Sequence, residues 1–187
     1  MRWLAEKYIR WRGWQIAGDK PRYKKFVAIG APHTSNWDFI VFLGVVSHFK
    51  IPARVIGKSS LVRWPFGGLM RKLGIVPVDR DSGQGLVDQM VEAFDRAEEM
   101  ALVIAPEGTR GAAEHWHSGF HRIAVAAAVP VVMAFIDAEN RVTGVGPTLH
   151  PTEDVRADMD QIRDFYSGIK GRHPDRQGPI VLREELG

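Results

Sequence analysis

The sequence has no cysteine among its 187 residues. That excludes disulfides, thiolate catalysis and cysteine-ligated zinc or iron–sulfur centres. It also lacks any run of about 18 apolar residues, so no transmembrane helix is expected. The opening residues, MRWLAEKYIRWRGW, are broken by charge throughout and carry no secretory-signal pattern, so the expected compartment is cytoplasmic. Acidic residues are scarce at first: residues 1–80 hold 4 Asp and Glu against 15 Lys and Arg, whereas residues 81–187 hold 18 against 10. The formal charge of +3 is therefore a small difference between a basic and an acidic stretch. A basic stretch of this size points to a polyanionic partner, whether a phosphorylated substrate, an anionic membrane surface or nucleic acid. The alternative is that the two halves neutralise each other in the fold. A composition of 45% hydrophobic and 25% charged residues is that of a globular chain, and the length fits a single domain over residues 1–187.

There is no internal repeat and no low-complexity segment. Residues 1–12 read as a short helix, the start of an amphipathic N-terminal segment over residues 1–20. At about 100° per residue, Trp3, Leu4, Tyr8 and Trp11 share one face, with Lys7 among them and Arg10 at its edge. Aromatics with basic neighbours fit a helix lying on a membrane surface; a helix docking on the protein's own core fits equally. Beyond it the pattern alternates. Residues 25–30, 54–57, 75–78, 102–105 and 131–136 are short apolar runs of the kind found in buried strands. Helical stretches fall at about 36–49, 60–73, 84–100, 119–128 and 158–170. This order predicts an α/β fold: a mostly parallel central sheet with helices on both faces. Such folds gather their sites at the carboxyl ends of the strands.

Three motifs follow strands in that way. After Gly30 comes Ala-Pro-His-Thr-Ser-Asn-Trp-Asp. Pro32 interrupts the strand, His33 falls in the turn and Asp38 in the first turn of the next helix. Asp38 could then accept a hydrogen bond from one imidazole nitrogen and leave the other free as a base. The helix after it, FIVFLGVVSHF, is nearly all apolar, so it is either buried on every side or faces something greasy. Second, Lys58 and Arg80 follow two strands, where two cations could converge on a phosphate, the arginine as a bidentate fork. Third, the strand ALVIA runs into Pro106-Glu107-Gly108-Thr109-Arg110. Gly108 permits a tight turn with exposed amides, Arg110 adds a fixed positive charge and Glu107 could orient a hydroxyl or fix the loop.

A fourth grouping, Glu114, His115, His117 and His121, has metal-like spacing. Ser118 and Gly119 interrupt a regular helix there and no third ligand is fixed, so no metal is expected.

Together HTSNWD, GIVPVDR, APEGTR and VPVVMAF, in this order over residues 25–136, resemble the glycerolipid acyltransferase superfamily, with its bacterial 1-acylglycerol-3-phosphate and lysophospholipid acyltransferases. The resemblance implies transfer of a fatty acyl group from acyl-CoA or acyl carrier protein to a hydroxyl of a glycerol-phosphate lipid, without a cofactor. It implies His33 as general base and Asp38 as its orienting partner. Arg80 corresponds to a phosphate-linked arginine, and Lys58 to a basic position before it. Glu107, Gly108, Thr109 and Arg110 correspond to the acceptor-binding motif, and Pro130 to a proline on the acyl-donor side. The third motif departs from the family in having Ala105 where phenylalanine is usual. The family often carries a longer membrane-embedding N-terminal region as well. The implied acceptor is a lysophospholipid, most directly 1-acylglycerol-3-phosphate giving phosphatidic acid; glycerol 3-phosphate and other lysolipids are alternatives. Apart from the resemblance, the basic N-terminal half with Trp3, Tyr8 and Trp11 leads to an expected location that is cytoplasmic, attached peripherally to the inner face of the plasma membrane. A thioester hydrolase using the same His–Asp pair is the nearest rival, although it has no use for an acceptor-phosphate loop. A basic lipid- or nucleic-acid-binding module leaves HTSNWD and PEGTR unexplained, and no nucleic-acid motif is present. Residues 137–187 carry no recognisable motif, and His150 and His173 read as structural or solvated.

Overall fold

The computed structural model describes residues 2–58, 74–78 and 85–186. Among them are seven strands: β1 (Gln15–Ala17), β2 (Lys25–Ala31), β3 (Ala53–Lys58), β4 (Ile75–Val78), β5 (Met100–Ile104), β6 (Val131–Asp137) and β7 (Val142–Leu149). They form one sheet in the order β1-β7-β6-β2-β5-β3-β4. Every pairing is parallel except the β6–β7 hairpin, which gives the mostly parallel sheet that the alternation predicts. The helices are α1 (Arg2–Trp11), α2 (Asp38–Phe49), α3 (Leu86–Arg96), α4 (Gly119–Ala126) and α5 (Val155–Tyr166). Two single-turn 3-10 helices, Pro174–Arg176 and Arg183–Glu185, follow.

Strand β2 explains the layering. Phe26, Val27, Ala28 and Ile29 are all buried, because a central strand has a covered face on each side. Val27 and Ile29 point toward Met90 and Phe94 of α3, Phe120 and Ile123 of α4, and Met159 and Ile162 of α5. Phe26 and Ala28 point the other way, toward Val45, Val46 and Phe49 of α2. Helices therefore cover both faces. The apolar α2 is packed on two sides, because α1 lies across it: a Cβ on Gly44 would stand 2.3 Å from Cδ1 of Ile9. Ile9 is buried, while Trp3, Leu4 and Trp11 on the opposite side of α1 are exposed.

Several expected boundaries move. The helix expected over 84–100 stops at Arg96, where Ala97 turns extended and its N–H bonds Phe94 O. Met100 pairs with Lys25, so sheet pairing claims residues that the periodicity assigns to the helix. The helix expected over 158–170 starts at Val155 instead, because Asp154 caps it by accepting from Ala157 N at 3.1 Å. β1 and β7 have no counterpart in the sequence reading. The helix expected over 60–73 lies outside the described residues.

Candidate active site

Sheet order brings the first and third motifs together. β2 and β5 are parallel neighbours with Ile29 opposite Ile104, so the residues that follow them emerge side by side at one edge. Within the turn after β2, Nδ1 of His33 lies 3.1 Å from Oδ2 of Asp38. The same oxygen accepts the amides of Thr34 and Ser35, each at 2.8 Å. The carboxylate is buried and held by three donors, so it fixes both the turn and the imidazole. Nδ1–H facing Asp38 leaves Nε2 as the acceptor, and among the described residues no group bonds it.

From the third motif, Glu107 Oε1 accepts the His33 backbone N–H at 3.0 Å. Glu107 is buried, and among the described residues its Oε2 has no protein partner. Burial raises its pKa above the usual glutamate value, against the lowering effect of the His33 amide. Gly108 stands at φ +67°, and a Cβ there would come within 2.7 Å of the His117 ring, so this turn needs glycine on both counts. Arg110 donates from Nη1 to Oδ1 of Asn36, linking the third motif to the first.

His33, Asp38, Asn36 and Arg110 border a cleft of about 520 Å³. Its remaining lining is largely apolar, with Phe39, Phe42 and Val45 from α2 and Ile104, Phe135 and Ile136 from the strands. A base at the polar end of an apolar cleft, beside an arginine, suits a substrate with a long apolar tail and an anionic head.

The other expected site residues are placed differently. Lys58 ends β3 opposite Val78. Arg80 lies outside the described residues. Thr109 accepts Gly111 N at 3.2 Å, which shapes the loop. Pro130 is buried just before β6, and its carbonyl accepts Val27 N at 2.9 Å. It thus stands at the amino end of the central strands, whereas His33 stands beyond their carboxyl ends. The structure does not bring Pro130 to the cleft. Nor do the spaced histidines converge. His121 bonds Asp158 of α5 at 2.8 Å in the core, while His115 and His117 meet edge to face in the loop. Among the described residues no three His, Asp or Glu side chains are grouped to hold a metal.

Sequence reasoning missed Asn36, whose position inside HTSNWD was the available signal. It also missed Thr143 and Gly144 of β7, which line the cleft from a strand disguised by its glycines and proline.

Residues 16–136 match the family model described as Acyltransferase. The chain belongs to the Acyltransferase family. The match spans β1 through most of β6 and contains every residue of the His33 cluster. This acyltransferase also shares its fold with the 1-acyl-sn-glycerophosphate (LPA) acyltransferase PlsC from Thermotoga maritima. That comparison has a TM-score of 0.59 and 17% identity over 89% of this chain and 73% of the other. No curated protein matches it.

Proposed function

We propose that this acyltransferase moves a fatty acyl group from acyl-CoA or acyl carrier protein to the hydroxyl of a glycerol-phosphate lysolipid, with 1-acylglycerol-3-phosphate as the first acceptor and phosphatidic acid as product. The observation that carries the reading is the oriented His33–Asp38 pair at the mouth of an apolar cleft, with Arg110 beside it. The shared fold with an enzyme named for that acceptor supports the choice of lysolipid.

In this mechanism His33 Nε2 takes the acceptor's hydroxyl proton as its oxygen attacks the thioester carbonyl. Asp38 holds the imidazole's tautomer and stabilises the imidazolium that forms. The tetrahedral adduct collapses, the C–S bond breaks, and the imidazolium proton passes to the departing thiolate. The products are an ester and a free thiol, and no covalent enzyme intermediate is needed. Arg110 and Thr109, together with Lys58 and Arg80 as the family resemblance implies, hold the acceptor phosphate so that the hydroxyl reaches His33. The acyl chain lies along Phe39, Phe42 and Phe135. Pro130, at the far end of β6, serves the start of that strand in this reading. Trp3, Trp11 and Phe39 are exposed, and among the described residues no helix is long and apolar enough to cross a membrane. Peripheral attachment to the anionic inner face of the plasma membrane gives those side chains a partner.

The test is thiol release from acyl-CoA and from acyl carrier protein, by wild type and His33→Ala, with and without a panel of lysolipids and glycerol 3-phosphate. Release that needs an acceptor and drops at least about 10³-fold in the variant is expected. Release without any acceptor would overturn the transferase in favour of a thioester hydrolase.

A further inference from the structure

Asp38 also borders a second cavity of about 430 Å³, which Arg110 does not line and which has a polar character the acyl cleft lacks. Three arginines from distant parts of the chain border it: Arg12 after α1, Arg141 in the β6–β7 turn, and Arg172 after α5. Among the described residues none of the three has a carboxylate partner. The carboxylate in the wall, Asp38, is already committed through Oδ2 to His33, Thr34 and Ser35.

The arginines are also positioned. Tyr8 and Trp37 stack at 6.3 Å with their planes 17° apart. The Arg12 guanidinium lies 5.9 Å from the Tyr8 ring centroid, and that of Arg172 lies 6.0 Å from the Trp37 centroid. Arg141 Nη1 stands 3.5 Å from where a Cβ on Gly13 would be, beside the backbone that follows Arg12. Arg141 adopts φ +53°, a conformation for which glycine or asparagine is the ordinary residue, yet the turn carries a large cation there. Three guanidinium groups beside one cavity, without a carboxylate partner and two of them over aromatic rings, are suited to phosphate oxygens.

We infer that this cavity binds the headgroup phosphate of an anionic membrane lipid, separately from the acyl-transfer cleft. Phosphate is the shared chemistry of a lipid headgroup, free phosphate and the phosphates of CoA. The surroundings favour the lipid. Trp11 is 78% exposed, Trp37 49% and Phe39 55%, an apolar rim that a soluble phosphate does not need and a bilayer interface does. Trp37 borders this cavity and Phe39 borders the acyl cleft, so a bilayer meeting both would sit over both openings. The inference rests on the membrane attachment proposed above and not on the chemistry of transfer.

The test is binding of full-length protein to phosphatidylglycerol and to phosphatidylcholine vesicles at about 0.1 M salt, with no acyl donor present. General electrostatics at an anionic surface gives about fivefold per cation, so about a hundredfold for any three. The control triple variant Arg2→Gln, Lys7→Gln, Arg10→Gln, on the helix that precedes Arg12, reports that background. Arg12→Gln, Arg141→Gln, Arg172→Gln is expected to lose at least about tenfold more than the control on phosphatidylglycerol and nothing on phosphatidylcholine. Replacing the same three by lysine keeps charge and removes the forks; it is expected to lose about tenfold. Equal losses in the glutamine triple and the control, or a lysine triple that binds as wild type, would overturn the site. A melting temperature raised by millimolar phosphate or CoA in wild type but not in the glutamine triple, with vesicle binding unchanged between them, would overturn the lipid as occupant. Failure of the transferase reading appears instead in the thiol-release assay, which needs no vesicle.

Discussion

Two carboxylates near His33 have opposite circumstances. Asp38 is satisfied by His33 and two backbone amides, so its charge is supported where it sits. Glu107 is buried with only one oxygen bonded among the described residues, and that burial raises its pKa. The folded protein therefore holds the Glu107 proton more tightly than the unfolded chain does. Between the ordinary glutamate value and the raised one the unfolded chain has lost more of the proton, so stability from this group declines as pH rises through that window. Glu107→Gln keeps an acceptor for the His33 amide and replaces the unpartnered oxygen by a neutral NH₂. The variant is expected to be more stable than wild type near neutral pH by about 1 kcal/mol, with the difference vanishing toward about pH 4. Chemical denaturation of both proteins across that range checks it; a difference independent of pH would contradict the assignment of a penalised charge.

At the scale of elements, the decisive contact is α1 on α2. The periodicity of residues 1–12 gathers Trp3, Tyr8 and Trp11 on one face, but it leaves open whether the helix lies on a membrane surface or docks on the protein's own core. The docking face is the smaller one, around Ile9, because its partner offers a groove at Gly44. Glu6 of α1 adds a bond to Nδ1 of His48 in α2 at 2.9 Å. A glycine in an apolar helix looks like a propensity defect in the sequence; only the neighbour explains it. Gly44→Leu is therefore expected to cost about 1–3 kcal/mol and to lift α1. Trypsin should then cut early at Arg10 and Arg12, while the sheet's circular dichroism stays. Protection equal to wild type would mean that α1 is held elsewhere. The same limit governs the site. HTSNWD and PEGTR were legible because chemistry-bearing residues directly follow apolar strand runs. That Glu107 would bond the His33 amide was not, because it depends on β2 and β5 being neighbours, and sheet order is not written locally. β7 was illegible for another reason: in VTGVGPTL, glycines and a proline break the period, yet pairing with β6 outweighs those propensities.

At the scale of the molecule, the described helices on the two faces of the sheet differ in charge. α1, with Lys7, Arg10 and its exposed tryptophans and with Arg12 just after it, lies on the α2 side of the sheet. The opposite side carries α3, with Asp88, Glu92 and Asp95 against Arg96, and α5, with Asp160, Asp164 and the capping Asp154 against Arg156 and Arg163. Among the described residues, the basic helix α1 and the acidic helix α3 thus lie on opposite faces of the sheet, and a negatively charged surface would orient the molecule with α1 toward it. Such orientation acts over a screened distance of about 10 Å at 0.1 M salt and about 3 Å at 1 M. Chemistry at His33 acts at hydrogen-bond distance inside a cleft and is screened far less. Transfer to lysolipid embedded in anionic vesicles is therefore expected to fall more than about tenfold between 0.05 and 0.5 M salt, each basic residue at the surface being worth about fivefold at the low end. Transfer to the same acceptor as a dilute monomer is expected to change less than about twofold. Parallel losses in the two assays would place the salt sensitivity in the acceptor-phosphate contacts of Arg110 and its neighbours, and would remove the case for a molecule oriented by its charged faces.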